Sequence, residues 1–168
     1  MKEIRWHARA GQGAKSASQL YATAALRSGH YAQAFPEYGP ERRGAPIRSY
    51  TRIDERPIRR HDSVDHPDIV AVLEPSLLHD VDVAAGLAPG GLVLVSAQTP
   101  PDGLDGVDAR CIPAERGSAN LVLAGAVAAV TGIPVEAVAD SAVELLGRKL
   151  PREEIVAAVE EGYACLAC

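Results

Sequence analysis

The sequence predicts a Rossmann-like, three-layer α/β domain with a mostly parallel sheet and a helical C-terminal tail, covering residues 1–168 as one domain. Three observations point there. A short strand pattern runs into a glycine turn and then an amphipathic helix. Two later apolar runs have the length of strands covered on both faces. The last third of the chain is dominated by helical periodicity.

The elements follow in chain order. Lys2 to Ala8 reads as a strand with Ile4 and Trp6 on one face, and Gly11-Gln12-Gly13 as a tight turn. Ala14 to Ser28 places Ala17, Leu20, Tyr21, Ala24 and Ala25 on one helical stripe, and Gly29 stands where a helix-ending glycine belongs. Tyr31 to Phe35 fits a short second strand. Pro36 to Pro46 holds three Pro and two Gly in eleven residues, which rules out regular structure through its length. Ile47 to Ile53 alternates, with Ile47, Ser49, Thr51 and Ile53 on one face and Arg48, Tyr50 and Arg52 on the other; this predicts a half-exposed strand, antiparallel or at an edge.

Ile69 to Leu73 and Leu92 to Val95 are the two buried parallel strands, and Ala109 to Ile112 a third. Ser76 is placed to cap a short helix reaching Leu87. Ser118 to Thr131 is an Ala/Val/Leu helix stopped by Gly132 and Pro134, and Val135 to Leu146 and Arg152 to Ala164 are closing helices.

Composition narrows the function classes. The formal net charge of -5 argues against general nucleic-acid binding, yet seven of the fourteen Arg lie between Arg42 and Arg60, which suits a local anion site or a partner surface. No apolar run approaches the ~20 residues of a membrane helix. Met1 to Ala10 lacks the apolar region of a signal peptide. A cytoplasmic location is expected, with neither membrane nor nucleic acid as partner. Three Cys make no disulfide framework, and Cys165 and Cys168 are read as incidental thiols; no metal site is expected. His7, beside the glycine turn, is read as a packed or capped side chain more readily than as a ligand contact.

Two segments carry chemistry. A glycine turn between strand and helix offers backbone N–H groups and a positive helix end, both suited to phosphate, but Gly11-x-Gly13 alone serves equally well as a structural turn. The segment from Ala32 to Pro46 is more specific. Pro and Gly fix its path while Glu37, Glu41, Arg42 and Arg43 project charge from it, and arginine pairs bidentately with carboxylate or phosphate. The competing reading is a Glu–Arg cluster paired internally that only holds the loop.

The string YAQAFPEYGPERRGAPIRSYTRI, Tyr31 to Ile53, resembles the signature of gamma subunits of 2-oxoacid:acceptor oxidoreductases, the pyruvate or 2-ketoisovalerate:ferredoxin type. The turn Ala8-Arg9-Ala10-Gly11-Gln12-Gly13 is similar to the family's G-x-G-G-Q-G, with Ala in the first and third places. GSANLVLAGAVAAVTGI is similar to its Asn-bearing helix, with Asn120 and Gly125 in matching positions, and DIVAVLEPSLL to its central strand and turn. The resemblance implies oxidative decarboxylation of a 2-oxoacid, transfer of the acyl group to coenzyme A, and electron flow to an acceptor such as ferredoxin. Thiamine diphosphate and iron–sulfur clusters would lie in partner subunits: alpha and beta chains and a ferredoxin-like delta subunit or domain. By matching position, Gly11, Gln12, Gly13 and Asn120 would lie near coenzyme A. Glu37, Tyr38, Glu41, Arg42 and Arg43 would face partner subunits, and no catalytic residue is expected in this chain alone. Two alternatives remain at this point: a Rossmann-type nucleotide-binding regulatory domain, which needs the glycine turn but not the stiff loop, and the equivalent subunit of an indolepyruvate or other aryl-2-oxoacid oxidoreductase.

Overall fold

The computed structural model describes residues 1–37, 44–115 and 117–167. Its elements are β1 (Lys2–Arg9), α1 (Ala14–Arg27), β2 (Tyr31–Pro36), β3 (Pro46–Asp54), β4 (Ile69–Val72), a 3-10 turn (Pro75–His79), β5 (Leu92–Val95), β6 (Ala109–Cys111), α2 (Ala119–Thr131), α3 (Val135–Leu146) and α4 (Arg152–Ala164). The sheet order is β2-β3-β1-β4-β5-β6. β1, β4, β5 and β6 are parallel, and β3 pairs antiparallel with both β1 and β2. β2 therefore shares the direction of β1, and β3 alone is reversed.

Alternation in β1 separates the two faces of the sheet. Ile4, Trp6 and Ala8 point to the helices and are fully buried with Ala17, Leu20, Tyr21 and Ala24 of α1 and the apolar length of α2. Trp6 Nε1 donates to Thr51 Oγ1 (3.0 Å), which satisfies the indole N–H inside this core. α3 and α4 close over α1 and α2. The contact between α2 and α4 is glycine-mediated: a β-carbon on Gly162 would stand 1.8 Å from Val122 O, and one on Gly125 1.9 Å from Val159 O. Both positions admit only glycine at this spacing.

The opposite face is covered by irregular segments. Val70, Val72, Val93 and Val95 pack there against Val83 and Leu104. Arg5 is 4% exposed on this face and pins the covering layer, donating to Val64 O (3.4 Å), Val83 O (3.0 Å) and Ala85 O (2.6 Å).

Two expectations are corrected. β3 is not half-exposed: Tyr50 and Arg52 are buried, because the alternating polar face meets the irregular layer instead of water, and β2 takes the edge position. The helix from Ser76 to Leu87 is only the 3-10 turn, capped by the Glu74 carboxylate, which accepts from Ser76 N (3.2 Å). Asp82 Oδ1 accepts from Ala84 N (3.1 Å), a local turn that competes with helix, and Gly86 follows at φ +75° with a β-carbon position 2.2 Å from Asp65 O.

Candidate functional site

The parallel strands end together on one side of the sheet, and the segments that follow them enclose a cleft of about 580 Å³. Gly11, Gln12, Gly13 and Ser16 follow β1; Leu73, Glu74 and Pro75 follow β4; Ser96 follows β5; Ala114, Glu115 and Gly117 follow β6; Ala119 and Asn120 open α2. Ligands in open α/β sheets occupy this position, outside the carboxyl ends of the strands where the chain order switches sides.

The glycine turn is shaped by its conformation and by one side chain. Gly11 and Gly13 have φ +92° and +90°, the left-handed region that other residues enter with strain. Gln12 Oε1 accepts from Arg9 N (2.9 Å), and Gln12 Nε2 donates to Glu74 Oε2 (2.8 Å), so its amide ties the turn to the segment after β4. Burial alone would raise the Glu74 carboxyl, but the hydrogen bonds from Gln12 and Ser76 and the Arg9 charge outweigh it and hold the group below the usual carboxylate range. Gln12 thus acts in the frame of the cleft. Gly11 faces open space, with nothing within 4 Å of a β-carbon there.

Gly13 is the N-cap of α1 and offers no side-chain acceptor to its first turn. Among the described residues, nothing accepts from the N–H groups of Gly13, Ala14, Lys15 or Ser16. The start of α2 lies against this turn: a β-carbon on Gly13 would come within 3.0 Å of Asn120 Nδ2. Asn120 is 9% exposed, lines the cleft, and has no hydrogen-bond partner for its carboxamide among the described residues. A nearly buried amide facing a cleft without a partner is suited to a polar ligand. The four predicted residues Gly11, Gln12, Gly13 and Asn120, far apart in sequence, are therefore brought together.

Other predicted residues lie elsewhere. Glu37 leaves the end of β2; its carboxylate accepts from Tyr50 Oη and forms an ion pair with Arg48 (Nε at 2.9 Å). The Tyr50 hydroxyl is pushed up to about 12, by burial first and by Glu37 second. Glu37 thus anchors the loop to β3 through residues not singled out in the sequence. Tyr38, Glu41, Arg42 and Arg43 lie outside the described residues, as does Cys168. His7 is 2% exposed and accepts from Arg5 Nε (3.1 Å) in the covering layer, away from the cleft; burial and the Arg5 and Arg48 charges push it down to about 3. Among the described residues no cluster of three or more His, Cys, Asp or Glu is placed to hold a metal, and no helix is long and apolar enough to cross a membrane.

Ser16, Glu74 and Ser96 were not anticipated. A signal existed for two of them: Glu74 and Ser96 stand just past the ends of the apolar runs of β4 and β5, where parallel strands deliver side chains to a ligand crevice.

A model of the family described as pyruvate ferredoxin/flavodoxin oxidoreductase matches residues 3–165. The chain belongs to this family. Pyruvate synthase subunit PorC of Thermotoga maritima is 42% identical over 183 residues, covering 99% of this chain and 95% of that protein. The pyruvate/ketoisovalerate oxidoreductases common subunit gamma of Thermococcus kodakarensis is also 42% identical, over 95% of each chain. The crystal structure of the Thermotoga maritima pyruvate oxidoreductase subunit superposes with a TM-score of 0.80 at 36% identity, covering 97% of this chain and 95% of that one. The fold also occurs within the 2-oxoglutarate:ferredoxin oxidoreductase of Magnetococcus marinus, solved with 2-oxoglutarate, coenzyme A and succinyl-CoA bound. There the TM-score is 0.74 at 20% identity, over 99% of this chain and 31% of that one. This chain is accordingly a gamma subunit of a 2-oxoacid:ferredoxin oxidoreductase, one part of a multisubunit enzyme. A free-standing regulatory domain is set aside.

Proposed function

We propose that this gamma subunit contributes part of the coenzyme A site of its oxidoreductase, with the ligand's phosphates lying in the cleft at the carboxyl ends of the strands. The observation that carries the proposal is the convergence on one cleft of the α1 and α2 N-termini with the Asn120 carboxamide, which has no partner among the described residues. Helix N-termini favour anions by about 0.3–1 kcal/mol each, and up to ~2 kcal/mol where partly buried. Two such ends plus amide donors act together on a phosphate. Two carboxylates line the cleft, Glu74 and Glu115; Glu74 is engaged by Gln12 and Ser76, which directs part of its charge away from the cleft. Coenzyme A bound in the Magnetococcus marinus relative, which shares this fold, supports the choice of ligand.

The chemistry on the 2-oxoacid belongs to thiamine diphosphate, and electron transfer to iron–sulfur clusters, both in the alpha, beta and delta partners. This chain's residues orient the acyl acceptor: the glycine turn lets backbone N–H groups approach closely, Gln12 and Glu74 fix the turn, and Asn120 supplies a directed amide. The 2-oxoacid is pyruvate or a branched-chain analogue, as in the named relatives, in preference to an aryl-2-oxoacid. The loop from Glu37 through Tyr38, Glu41, Arg42 and Arg43 faces partner subunits.

The test is Gly13→Val in the assembled enzyme. The added side chain meets Asn120 and occupies the ligand approach. The KM for coenzyme A rises with little change in that for the 2-oxoacid. Rapid mixing shows decarboxylation preserved and acyl transfer slowed. An intact variant complex with unaltered coenzyme A dependence refutes the proposal.

A further inference from the structure

A closed ring of hydrogen bonds joins the end of β1 to the end of β4 at the rim of the cleft. Arg9 N donates to Gln12 Oε1 (2.9 Å), and Gln12 Nε2 donates to Glu74 Oε2 (2.8 Å). The other carboxylate oxygen, Glu74 Oε1, accepts from Ser76 N (3.2 Å), and Ser76 Oγ accepts from Arg9 Nε (3.1 Å), which returns the path to its start. Both oxygens of Glu74 are thereby engaged by donors of the ring. Arg9 closes it, entering once through its main-chain N–H and once through its side chain.

The other guanidinium nitrogens hold Arg9 from outside the ring. Nη1 donates to Gly44 O (3.2 Å), and Nη2 to Asp80 Oδ2 (2.7 Å) and Ser76 O (3.4 Å). Each of the three nitrogens has a partner although the side chain is 26% exposed, and a planar guanidinium meets several acceptors at once where an ammonium is a point charge. The described residues that line the cleft include Glu74 and Glu115 and no lysine or arginine. The cation that balances Glu74 therefore stands behind the cleft wall. Burial raises the Glu74 carboxyl, but the hydrogen bonds from Gln12 and Ser76 and the Arg9 charge outweigh it and keep the group ionised. An ionised carboxylate free to swing into a cleft that takes phosphates would repel them.

We propose that Arg9 is a positioning residue for the acyl acceptor: acting through Ser76 and Gln12, it holds the Glu74 carboxylate in the ring and out of the path of the ligand's phosphates. The inference rests on the reading that coenzyme A occupies this cleft. Loss of the Arg9 side chain opens the ring at Ser76 Oγ, removes the positive charge behind Glu74, and releases the carboxylate toward the ligand.

The experiment is a double-mutant cycle in the assembled enzyme, with coenzyme A varied at saturating 2-oxoacid. Arg9→Met raises the coenzyme A KM by on the order of fivefold or more, while the 2-oxoacid KM stays within about twofold of wild type. Beside Glu74→Gln, the same Arg9→Met change moves the coenzyme A KM by less than about twofold, because no charge remains to be misplaced. Ser76→Ala removes only the Oγ acceptor. It shifts the coenzyme A KM in the same direction, loses its effect beside Glu74→Gln, and carries the test if Arg9→Met does not assemble. An equal rise in both backgrounds overturns the proposal, since Arg9 then serves the fold independently of Glu74. An unchanged coenzyme A KM in Arg9→Met and Ser76→Ala overturns it too. Asn120→Asp, measured alongside, separates the two readings. A raised coenzyme A KM there with none in Arg9→Met removes the positioning role alone; no rise in either removes the cleft assignment as well.

Discussion

Substitution of Gly162 by Ala tests how α2, and with it Asn120, is held in place. The new β-carbon would stand 1.8 Å from Val122 O; separations under 3.0 Å are essentially never populated, so α2 and α4 must part by at least about 1.2 Å. Neither helix has slack. α2 is buried against β4 and β5, and α4 against α3. Overpacking of this kind costs about 3 kcal/mol, the upper part of its usual range. Glycine-to-alanine in a helix interior returns ~1 kcal/mol of propensity. The net loss is about 2 kcal/mol, a fall in Tm of roughly 4–8 °C for a chain of this size. Thermal unfolding followed by circular dichroism measures it, and coenzyme A dependence of the complex weakens as the start of α2 shifts. Propensity alone predicts the opposite sign, so a Tm equal to or above wild type refutes the close-crossing argument.

Three further outcomes follow. The isolated chain with added thiamine diphosphate turns over no pyruvate, since under the proposed division of labour its residues only orient an acyl acceptor and partners carry the carbonyl chemistry; measurable turnover contradicts that proposal. Arg42→Ala with Arg43→Ala leaves the chain folded and weakens assembly or complex activity, as charged interface pairs do when one member is removed; unchanged assembly and turnover contradict the loop's partner role. Acid sensitivity follows from His7: its folded-state pKa, about 3, lies below the ordinary 6.5, so its contribution is whole above pH 6.5 and is lost as pH falls toward 3, by about 2–3 kcal/mol at pH 4.5. His7→Gln flattens the decline of stability between pH 6.5 and 4.5, and an unaltered decline shows that other groups control it.

The regular elements were legible because each obeyed one periodicity. The buried face of α1, the continuous apolar runs of β4 and β5, and the Gly132 stop of α2 all appear at the residues where local pattern and tertiary burial agree. The reading failed where a polar pattern met protein instead of water. The Arg48-Tyr50-Arg52 alternation looks solvated in sequence, but a covering layer built 10 to 40 residues later, and pinned by Arg5, removes Tyr50 and Arg52 from solvent. The segment after Ser76 has helical composition but is diverted by the Asp82 turn and by the fit of Gly86 under Asp65 O. At the cleft, Gly11, Gly13 and Asn120 were found through motif resemblance. Ser16 was not, because a lone serine in a helix carries no signal; Glu74 and Ser96 were missed although each stands just past an apolar strand run, where the only cue was position. Glu37 was found as a charged loop residue, but its partners Tyr50 and Arg48 depend on the register between β2 and β3.

The most direct measurement is the coenzyme A dependence of the intact complex carrying Asn120→Asp. The substitution keeps the size of the side chain and replaces a potential donor with a negative charge between two helix N-termini. Repulsion of phosphate and loss of the amide raise the coenzyme A KM by on the order of tenfold or more, about 1.4 kcal/mol per tenfold, while the 2-oxoacid KM and the coenzyme-A-independent decarboxylation step change less than about twofold. An assembled Asn120→Asp complex whose coenzyme A KM equals that of the wild type contradicts the placement of coenzyme A in this cleft.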